Sequence, residues 1–318
     1  YEITTRLVGS EMCIRDSIFH TPYCNNFTTQ LLHSKPRLLL FYLQKLLFWL
    51  YYILMKLDKY ENQQMSTTTF EVHHKKDKDF KTVEMHSHDF SEVYFFLQGS
   101  ATYIIEDCKY ALRPGDVLII PPNKLHQLDI KDSAETYERF VLWLNQRYLK
   151  RISTAKTDLN TCFLQASAHN AFLVRNGVIS DKIRHSLDAV AHSQDDAFGS
   201  DVENEERIKA LLVILGQYFL QNADDFAFYG KNNPCVTKAI DYISEHITED
   251  LSLDTIASAL FVDKYYFAHV FKENTNTSPH RYILKKRLVL SKQFIEQGYP
   301  VTEVYIKCGF SDYTHFFR

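Results

Sequence analysis

The sequence predicts an α+β protein in which a small β-barrel is followed by an all-helical region. Between residues 83 and 145, short runs rich in β-branched and aromatic residues alternate with turn residues, which is typical of a sandwich or barrel. From residue 178 onward, apolar residues recur at the spacing of amphipathic helices. The 318 residues suffice for two domains.

Composition restricts the class of protein. Hydrophobic residues make up 45% of the chain and charged residues 24%, and the formal net charge is −3. Any surface that binds nucleic acid must therefore be local. The six cysteines are scattered without a CxxC pair, so the sequence indicates neither a zinc finger nor a disulfide framework. We expect a reducing cytoplasm as the location.

The first 64 residues differ from the rest of the chain. Residues 7–17 resemble a translated sequencing adapter, and residues 37–56 form one long apolar run with a lysine at its centre. A membrane helix is the alternative for this run, but a central lysine costs roughly 3 kcal/mol on insertion. We expect residues 1–64 to be non-native or translated upstream sequence, with the true start at Met55 or Met65 and no membrane association.

Five runs predict the strands of the barrel, and turn residues such as Gly99 and the triplet Pro114-Gly115-Asp116 separate them. The runs are EVYFFLQ (92–98), SATYIIED (100–107), KYALR (109–113), VLIIP (117–121) and RFVLWLN (139–145).

Within this region, chemically distinctive residues recur at a fixed spacing. In order they are His86, His88, Glu92, Gly99, Gly115, Pro121 and His126. This pattern resembles the cupin family, although Asn123 stands where that family usually has a glycine. The resemblance implies a jelly-roll barrel over residues 65–175, with a pocket in its mouth for a small ligand.

The polar members of the pattern are the candidate effector-pocket or metal residues: His86, His88, Glu92 and His126. Because residues two apart on a strand point to one face, His86 and His88 can converge. Three imidazoles and a carboxylate suit Zn, Fe, Mn, Ni or Cu, and the residue types do not choose among these metals. The alternative is that the side chains only line or brace the barrel mouth, so no cofactor is certain.

Residues 176–222 predict two amphipathic helices. Their apolar stripes are Ile183, Leu187, Val190 and Ala191, then Ile208, Leu211, Leu212, Leu215 and Phe219. The helices either pack on the barrel only or also form an antiparallel pair that dimerises the protein. A polar segment, 223–233, is the expected linker to a last domain at 234–318.

Two short helices joined by a tight turn are predicted within residues 251–272. Ser252 and Asp263 are good N-caps. The expected inner residues are Leu253, Ile256, Ala257, Leu260, Phe267, Val270 and Phe271. This is a helix-turn-helix pattern, whose second helix enters the major groove of DNA. The side chains expected outside on that helix, and hence against DNA, are Lys264, Tyr265, Ala268, His269 and Lys272.

A basic segment and a longer helix follow. From Lys264 to Lys292 the chain has seven basic residues and one acid, a local charge of +6 that suits phosphate binding. Lys285 and Lys286 are the expected phosphate contacts. The longer helix starts at Pro279 after the Ser278 cap and ends at Gly298. Its length of about 28 Å is comparable to the separation of about 34 Å between successive major grooves.

Residues 301–318 repeat the first unit imperfectly. Val304 corresponds to Ile256 and Phe316 to Phe267. The expected DNA contacts of this second unit are Tyr313, Thr314 and Arg318. Because the sequence ends at Arg318, inside the expected recognition helix, we expect this domain to be incomplete.

The C-terminal residues resemble the AraC/XylS family of transcription regulators. The residues that carry the resemblance are Ile256, Ala257, Phe267, Phe271, Lys272, Ser278, Pro279, Tyr282, Arg287, Leu288 and the run Cys308-Gly309-Phe310-Ser311-Asp312. Asn276 departs from a usual glycine but tolerates the left-handed conformation, and Tyr305 replaces a usual alanine.

The resemblance implies a sequence-specific DNA-binding regulator, not an enzyme, that responds to a small-molecule effector in its cupin-like domain. The implied partners are double-stranded DNA, the effector, a second copy of the chain and RNA polymerase. Activation is the expected mode, although the residues do not separate an activator from a repressor. The alternative is a metal-dependent cupin enzyme with an accessory DNA-binding tail.

Overall fold

The computed structural model describes part of the chain, namely residues 64–80, 82–132, 135–194, 196–222 and 233–317. The predictions for residues 1–63, for nearly all of the linker and for Arg318 lie outside the described residues. Among the described residues, no helix combines the length and apolarity needed to cross a membrane.

Two antiparallel sheets form the predicted barrel. The first sheet contains, in spatial order, β1 (Phe70–Asp77), β8 (Tyr137–Leu144), β3 (Ser91–Gln98), β6 (Val117–Ile120) and β9 (Leu173–Val174). The second contains β2 (Val83–His86), β7 (His126–Ile130), β4 (Ala101–Ile105) and β5 (Cys108–Ala111). Strands β4 and β6 are buried along their whole length and β3 along most of it, as expected for unbroken apolar runs.

Helices after β8 share the hydrophobic core of the barrel. They are α1 (Gln146–Ile152), α2 (Thr161–Ala168), α3 (Gly177–Ala191) and α4 (Ser200–Gln221). The apolar stripes predicted for α3 and α4 pack in one cluster with the barrel residues, so the predicted boundary at residues 175 and 176 runs through a single core. Helices α1 and α2 were not predicted, because each has only two turns and too few residues to display a period.

The predicted helix-turn-helix and the longer helix are present. The C-terminal helices are α5 (Pro234–Glu245), α6 (Leu253–Ala259), α7 (Lys264–Thr275), α8 (Pro279–Glu296), α9 (Val301–Lys307) and α10 (Tyr313–Phe317). The Ser252 hydroxyl accepts the Thr255 N–H at 3.0 Å, and the Asp263 carboxylate accepts two N–H groups of α7 at 2.9 and 3.0 Å. Asn276 has a φ of 53°, the left-handed conformation expected of it.

The loop that follows α5 is contacted by α8 and by the turn between α9 and α10, the two helices of the second helix-turn-helix unit. The guanidinium of Arg287 on α8 donates to the carbonyls of Ile247 and Glu249, which follow α5. Gly309 has a φ of +81°, and a Cβ there would lie 2.8 Å from the Thr248 carbonyl oxygen. Only glycine allows this approach. Tyr305, in place of a small residue, packs on the cluster formed around Val304 and Phe316.

Candidate effector site and nucleic-acid interface

The histidines and the glutamate of the barrel motif lie together at one end of the sheets. His88, Glu92 and His126 each offer a ligand atom, and these atoms lie within 4.8 Å of one another. His86 is beside them, since its ring centroid is 4.2 Å from that of His126 and 6.2 Å from that of His88. All four residues are buried. We refer to His86, His88, Glu92 and His126 as the histidine cluster.

Backbone carbonyls fix the orientation of the three imidazoles. The Nδ1 atoms of His86, His88 and His126 lie 2.9, 2.9 and 2.8 Å from the carbonyl oxygens of Glu84, Phe90 and Lys124. Because a carbonyl only accepts, each Nδ1 carries the hydrogen. In a neutral ring, the lone pair is then on Nε2, the tautomer that binds metals when a second group holds Nδ1.

Asn123 supports this geometry from the loop before β7. Its φ is 64°, so it adopts the left-handed conformation for which cupins use glycine, and Asn is one of the few residues that tolerate it. Its N–H donates to the His88 carbonyl at 2.7 Å. The departure from the cupin motif therefore leaves the local backbone geometry intact.

The Glu92 carboxylate faces an imidazole nitrogen. Its Oε2 atom lies 3.0 Å from His88 Nε2 and accepts the Trp143 indole N–H at 3.2 Å. With the Nδ1 hydrogen in place, His88 Nε2 and the carboxylate both present lone pairs. A proton or a metal cation between them satisfies both atoms.

Burial keeps two of the imidazoles uncharged. It lowers the pKa of His86 to about 4 and, together with the neighbouring histidines, lowers the pKa of His126 well below its ordinary value. The buried Nε2 of His126 has no hydrogen-bond partner among the described residues. Neutral imidazoles, an orphaned nitrogen and a nearby carboxylate fit a divalent transition metal.

A cavity of roughly 260 Å³ opens beside the histidine cluster. His86 and Glu92 belong to both, and the remaining wall is largely aromatic and aliphatic. The other lining residues are His73, Lys75, Phe80, Val83, Tyr94, Tyr103, Leu128, Arg139, Val141 and Trp143. The buried Tyr94 hydroxyl has no hydrogen-bond partner among the described residues. Sequence reasoning missed these residues, because alternation along a strand does not distinguish a cavity wall from a filled core.

Helix α7 presents the surface expected to contact DNA. Phe267 and Phe271 are fully buried, while Tyr265 is 74% exposed. The predicted contacts His269 and Lys272 are exposed, and Ala268 and Lys264 are half-buried. The Lys264 ammonium lies 2.9 Å from an Asp254 carboxylate oxygen. Tyr266, which is 52% exposed, was not predicted, because its position next to Phe267 gave no signal of exposure.

The remaining predicted contacts divide into two groups. Tyr313 and Thr314 on α10 are exposed. Lys285 and Lys286 on α8 are only partly exposed, and Lys286 is bonded to the barrel residue Glu106 at 2.6 Å. Lys286 therefore contacts the barrel in this arrangement, which the sequence did not indicate, and the phosphate contacts of both lysines stay a prediction.

Known proteins resemble the chain over both regions. The family described as "AraC-like ligand binding domain" matches residues 68–212, and a family described as "Helix-turn-helix domain" matches residues 256–318. The probable transcriptional regulator LumQ of Photobacterium leiognathi is 24% identical over 74% of this chain and 86% of its own length.

A second relative and one solved structure were also found. The HTH-type transcriptional activator RhaS of Pectobacterium carotovorum subsp. carotovorum (strain PC1) is 23% identical over 73% of this chain and 81% of its own. The structure of unsaturated fatty acid-bound ToxT from Vibrio cholerae aligns over 80% of this chain and 91% of its own, at 15% identity and a TM-score of 0.37.

Proposed function

This chain belongs to the AraC/XylS family of transcription regulators, and we propose that α7 and α10 contact its DNA site while the barrel cavity binds the effector. The exposed outer face of α7, above a fully buried inner face, is the observation that carries the proposal for DNA. A helix held in this way offers its outer side chains to base edges in a major groove.

The proposed DNA contacts have two roles. We assign base reading to Lys264, Tyr265, Ala268 and His269 on α7 and to Tyr313, Thr314 and Arg318 at the second unit. Phosphate contact is assigned to Lys272, Lys285 and Lys286. Base contacts specify a sequence, whereas phosphate contacts position the protein without sequence information.

Binding of wild type and two variants to a cognate and a random duplex tests this assignment. His269→Ala should weaken binding to the cognate site by about 1–3 kcal/mol and change random binding little. Lys272→Ala should weaken both about equally and flatten the salt dependence by about one unit. Equal loss on both duplexes for His269→Ala would refute a base-reading role.

The effector site is proposed to be the cavity together with the histidine cluster. Its aromatic and aliphatic wall favours a small, largely apolar molecule, and the Tyr94 hydroxyl offers that molecule a hydrogen bond. A divalent metal held by His88, Glu92 and His126, with His86 beside them, would add a Lewis acid that binds an oxygen or nitrogen of the effector.

Elemental analysis after metal removal and resupply tests the metal. Wild type should retain close to one equivalent, and His126→Ala should retain much less, because a metal site loses affinity steeply with each ligand. His74→Ala is a matched control, since His74 is a barrel histidine whose Nε2 pairs with Glu138 outside the cluster. Less than about 0.1 equivalent on wild type would leave the histidines as bracing residues.

Surface residues and the relatives support the remaining assignments. Exposed apolar side chains on α4 and just before it, Phe198, Val202 and Leu220, support a homodimer formed through this helix. The name of RhaS as an activator supports activation here, through contact with RNA polymerase. A DNA target supports a cytoplasmic location. The relatives are transcription regulators over most of the chain, which favours this function over a metal-dependent enzyme with a DNA-binding tail.

A further inference from the structure

A buried glutamate of the barrel contacts the DNA-binding domain. Glu106 lies in the turn between β4 and β5, with a φ of 54°, and is only 2% exposed. Its carboxylate accepts the Leu125 N–H at 3.1 Å, the Tyr282 hydroxyl and the Lys286 ammonium, the last at 2.6 Å. Tyr282 and Lys286 both belong to α8. We refer to the bonds of Glu106 with these two residues as the Glu106 contact.

Glu106 is held in its charged form by the groups that surround it. Burial raises the pKa of the Glu106 carboxyl, but the nearby ammonium groups of Lys286 and Lys124 and the hydrogen bonds of Lys286 and Tyr282 outweigh it, so the pKa is lowered. The Lys286 side chain is 18% exposed. Hydrogen bonds between charged groups are stronger than neutral ones, and a buried carboxylate without its donors is costly.

Other residues of the barrel also contact the DNA-binding domain near the Glu106 contact. The Gln127 side-chain amide donates to the Thr275 carbonyl at 3.2 Å, at the end of α7. The Thr237 hydroxyl on α5 donates to the Asp107 carboxylate at 2.5 Å. The barrel residue Leu125 packs in the hydrophobic cluster of the DNA-binding domain. The interface therefore involves α5, α7 and α8, which are parts of the first helix-turn-helix unit and its neighbours.

The same strand carries the histidine cluster and this interface. Successive side chains of a strand point to opposite faces, and β7 begins with His126 in the cluster and Gln127 at the end of α7. Leu125, immediately before them, donates its N–H to Glu106. A displacement of His126 by a bound effector would therefore move both neighbours that contact the DNA-binding domain.

We propose that Glu106 and DNA phosphate compete for Lys286, so that the barrel holds the DNA-binding domain in a weakly binding state until the Glu106 contact opens. This inference rests on the proposed function, since it assigns Lys286 to phosphate once released. Effector binding at the histidine cluster opens the contact through Leu125 and Gln127.

Glu106→Gln tests the competition. The amide keeps the shape of the side chain and an oxygen that accepts the Leu125 N–H, but it removes the negative charge that forms an ion pair with the Lys286 ammonium. The variant should bind a random duplex about tenfold more tightly than wild type, with a salt dependence steeper by about 0.9 for the one released phosphate contact. Tyr282→Phe, which removes only the hydroxyl, should shift both quantities in the same direction by less.

Two further variants complete the design. The double variant Glu106→Gln, Lys286→Met should return to the wild-type salt dependence, because the released cation is absent. Glu138→Gln is the matched control, since Glu138 is a partly buried barrel carboxylate whose partners His74 and Lys76 are also in the barrel. It should leave DNA binding unchanged. A gain in Glu106→Gln that persists without Lys286, or no gain at all, overturns the proposal.

Acetylation of lysines by acetic anhydride measures the contact without DNA. In wild type, Lys286 should react at least about tenfold more slowly than exposed Lys292 on the same helix, because an ion-paired, largely buried amine is protected. In Glu106→Gln the two rates should converge. Equal rates in wild type refute the contact. A chain that binds no duplex refutes the proposed function instead, and the acetylation rates still decide whether the contact exists.

Discussion

Truncation of Phe267 tests whether the inner face of α7 holds the DNA-binding surface. Phe267 is fully buried among Ile256, Ala257 and Phe271, and its ring centroid lies 5.6 Å from that of Phe271 at 70°. Phe267→Ala removes a whole buried ring and should cost about 3–5 kcal/mol of stability. About 0.5–1.5 kcal/mol of this belongs to the edge-to-face aromatic pair.

Hydrogen exchange in increasing urea measures the loss where it occurs. Amides of α6 and α7 should lose protection in Phe267→Ala, while amides of α4 in the barrel core should keep theirs. The neighbouring Tyr266→Ala is the control, because this ring is 52% exposed and its removal should cost less than about 1 kcal/mol. Equal costs for the two substitutions would refute the assignment of an inner and an outer face.

Three more predictions concern stability. Gly309→Ala should destabilise the domain by more than Gly298→Ala in urea titrations, because a Cβ at Gly309 meets a carbonyl oxygen at 2.8 Å whereas Gly298 faces open space; equal losses would contradict the close approach. Asp263→Ala should cost about 1 kcal/mol through the lost N-cap, and no change would show that the cap is dispensable. The pKa of Glu106 is lowered, so its stabilisation is complete above the ordinary value of 4.5 and is lost in acid; the stability difference between wild type and Glu106→Gln should shrink only below that pH.

Features that depend on neighbours in sequence could be predicted. Ser252 and Asp263 cap helices because a short polar side chain reaches the N–H groups two and three residues ahead. Asn276 adopts a left-handed backbone conformation, which could be predicted because the tolerance of asparagine for this conformation is a property of the residue itself. The inner stripe around Phe267 follows from helical geometry alone. His88 lies beyond β2, which ends at His86, so strand geometry does not account for its place in the histidine cluster.

Features that depend on residues distant in the sequence could not be predicted. The 100–107 run was predicted as one strand, yet the strand ends at Ile105 and Glu106 turns with a positive φ. A glutamate at the end of an apolar run suggests an exposed residue, yet Glu106 is buried and is bonded to Lys286 of α8, 180 positions later in the sequence. The cavity beside Tyr94 has the same origin, because two sheets must pack before a wall exists.

The histidine cluster lies next to residues of the barrel that contact the DNA-binding domain, so a ligand bound there can affect DNA binding. An effector can shift a conformational equilibrium only by as much as its affinity differs between the two states. For an effector bound in the barrel, such a difference in affinity requires that the effector contact a residue whose displacement alters the interface with the DNA-binding domain. His126 would meet this condition for a ligand bound at the histidine cluster, because it lies between Leu125 and Gln127, which contact the DNA-binding domain directly. His88 lies elsewhere in the chain and stacks on Phe90. A ligand that contacts His126 should therefore affect DNA binding more than one that only fills the cavity beside Tyr94 and Trp143.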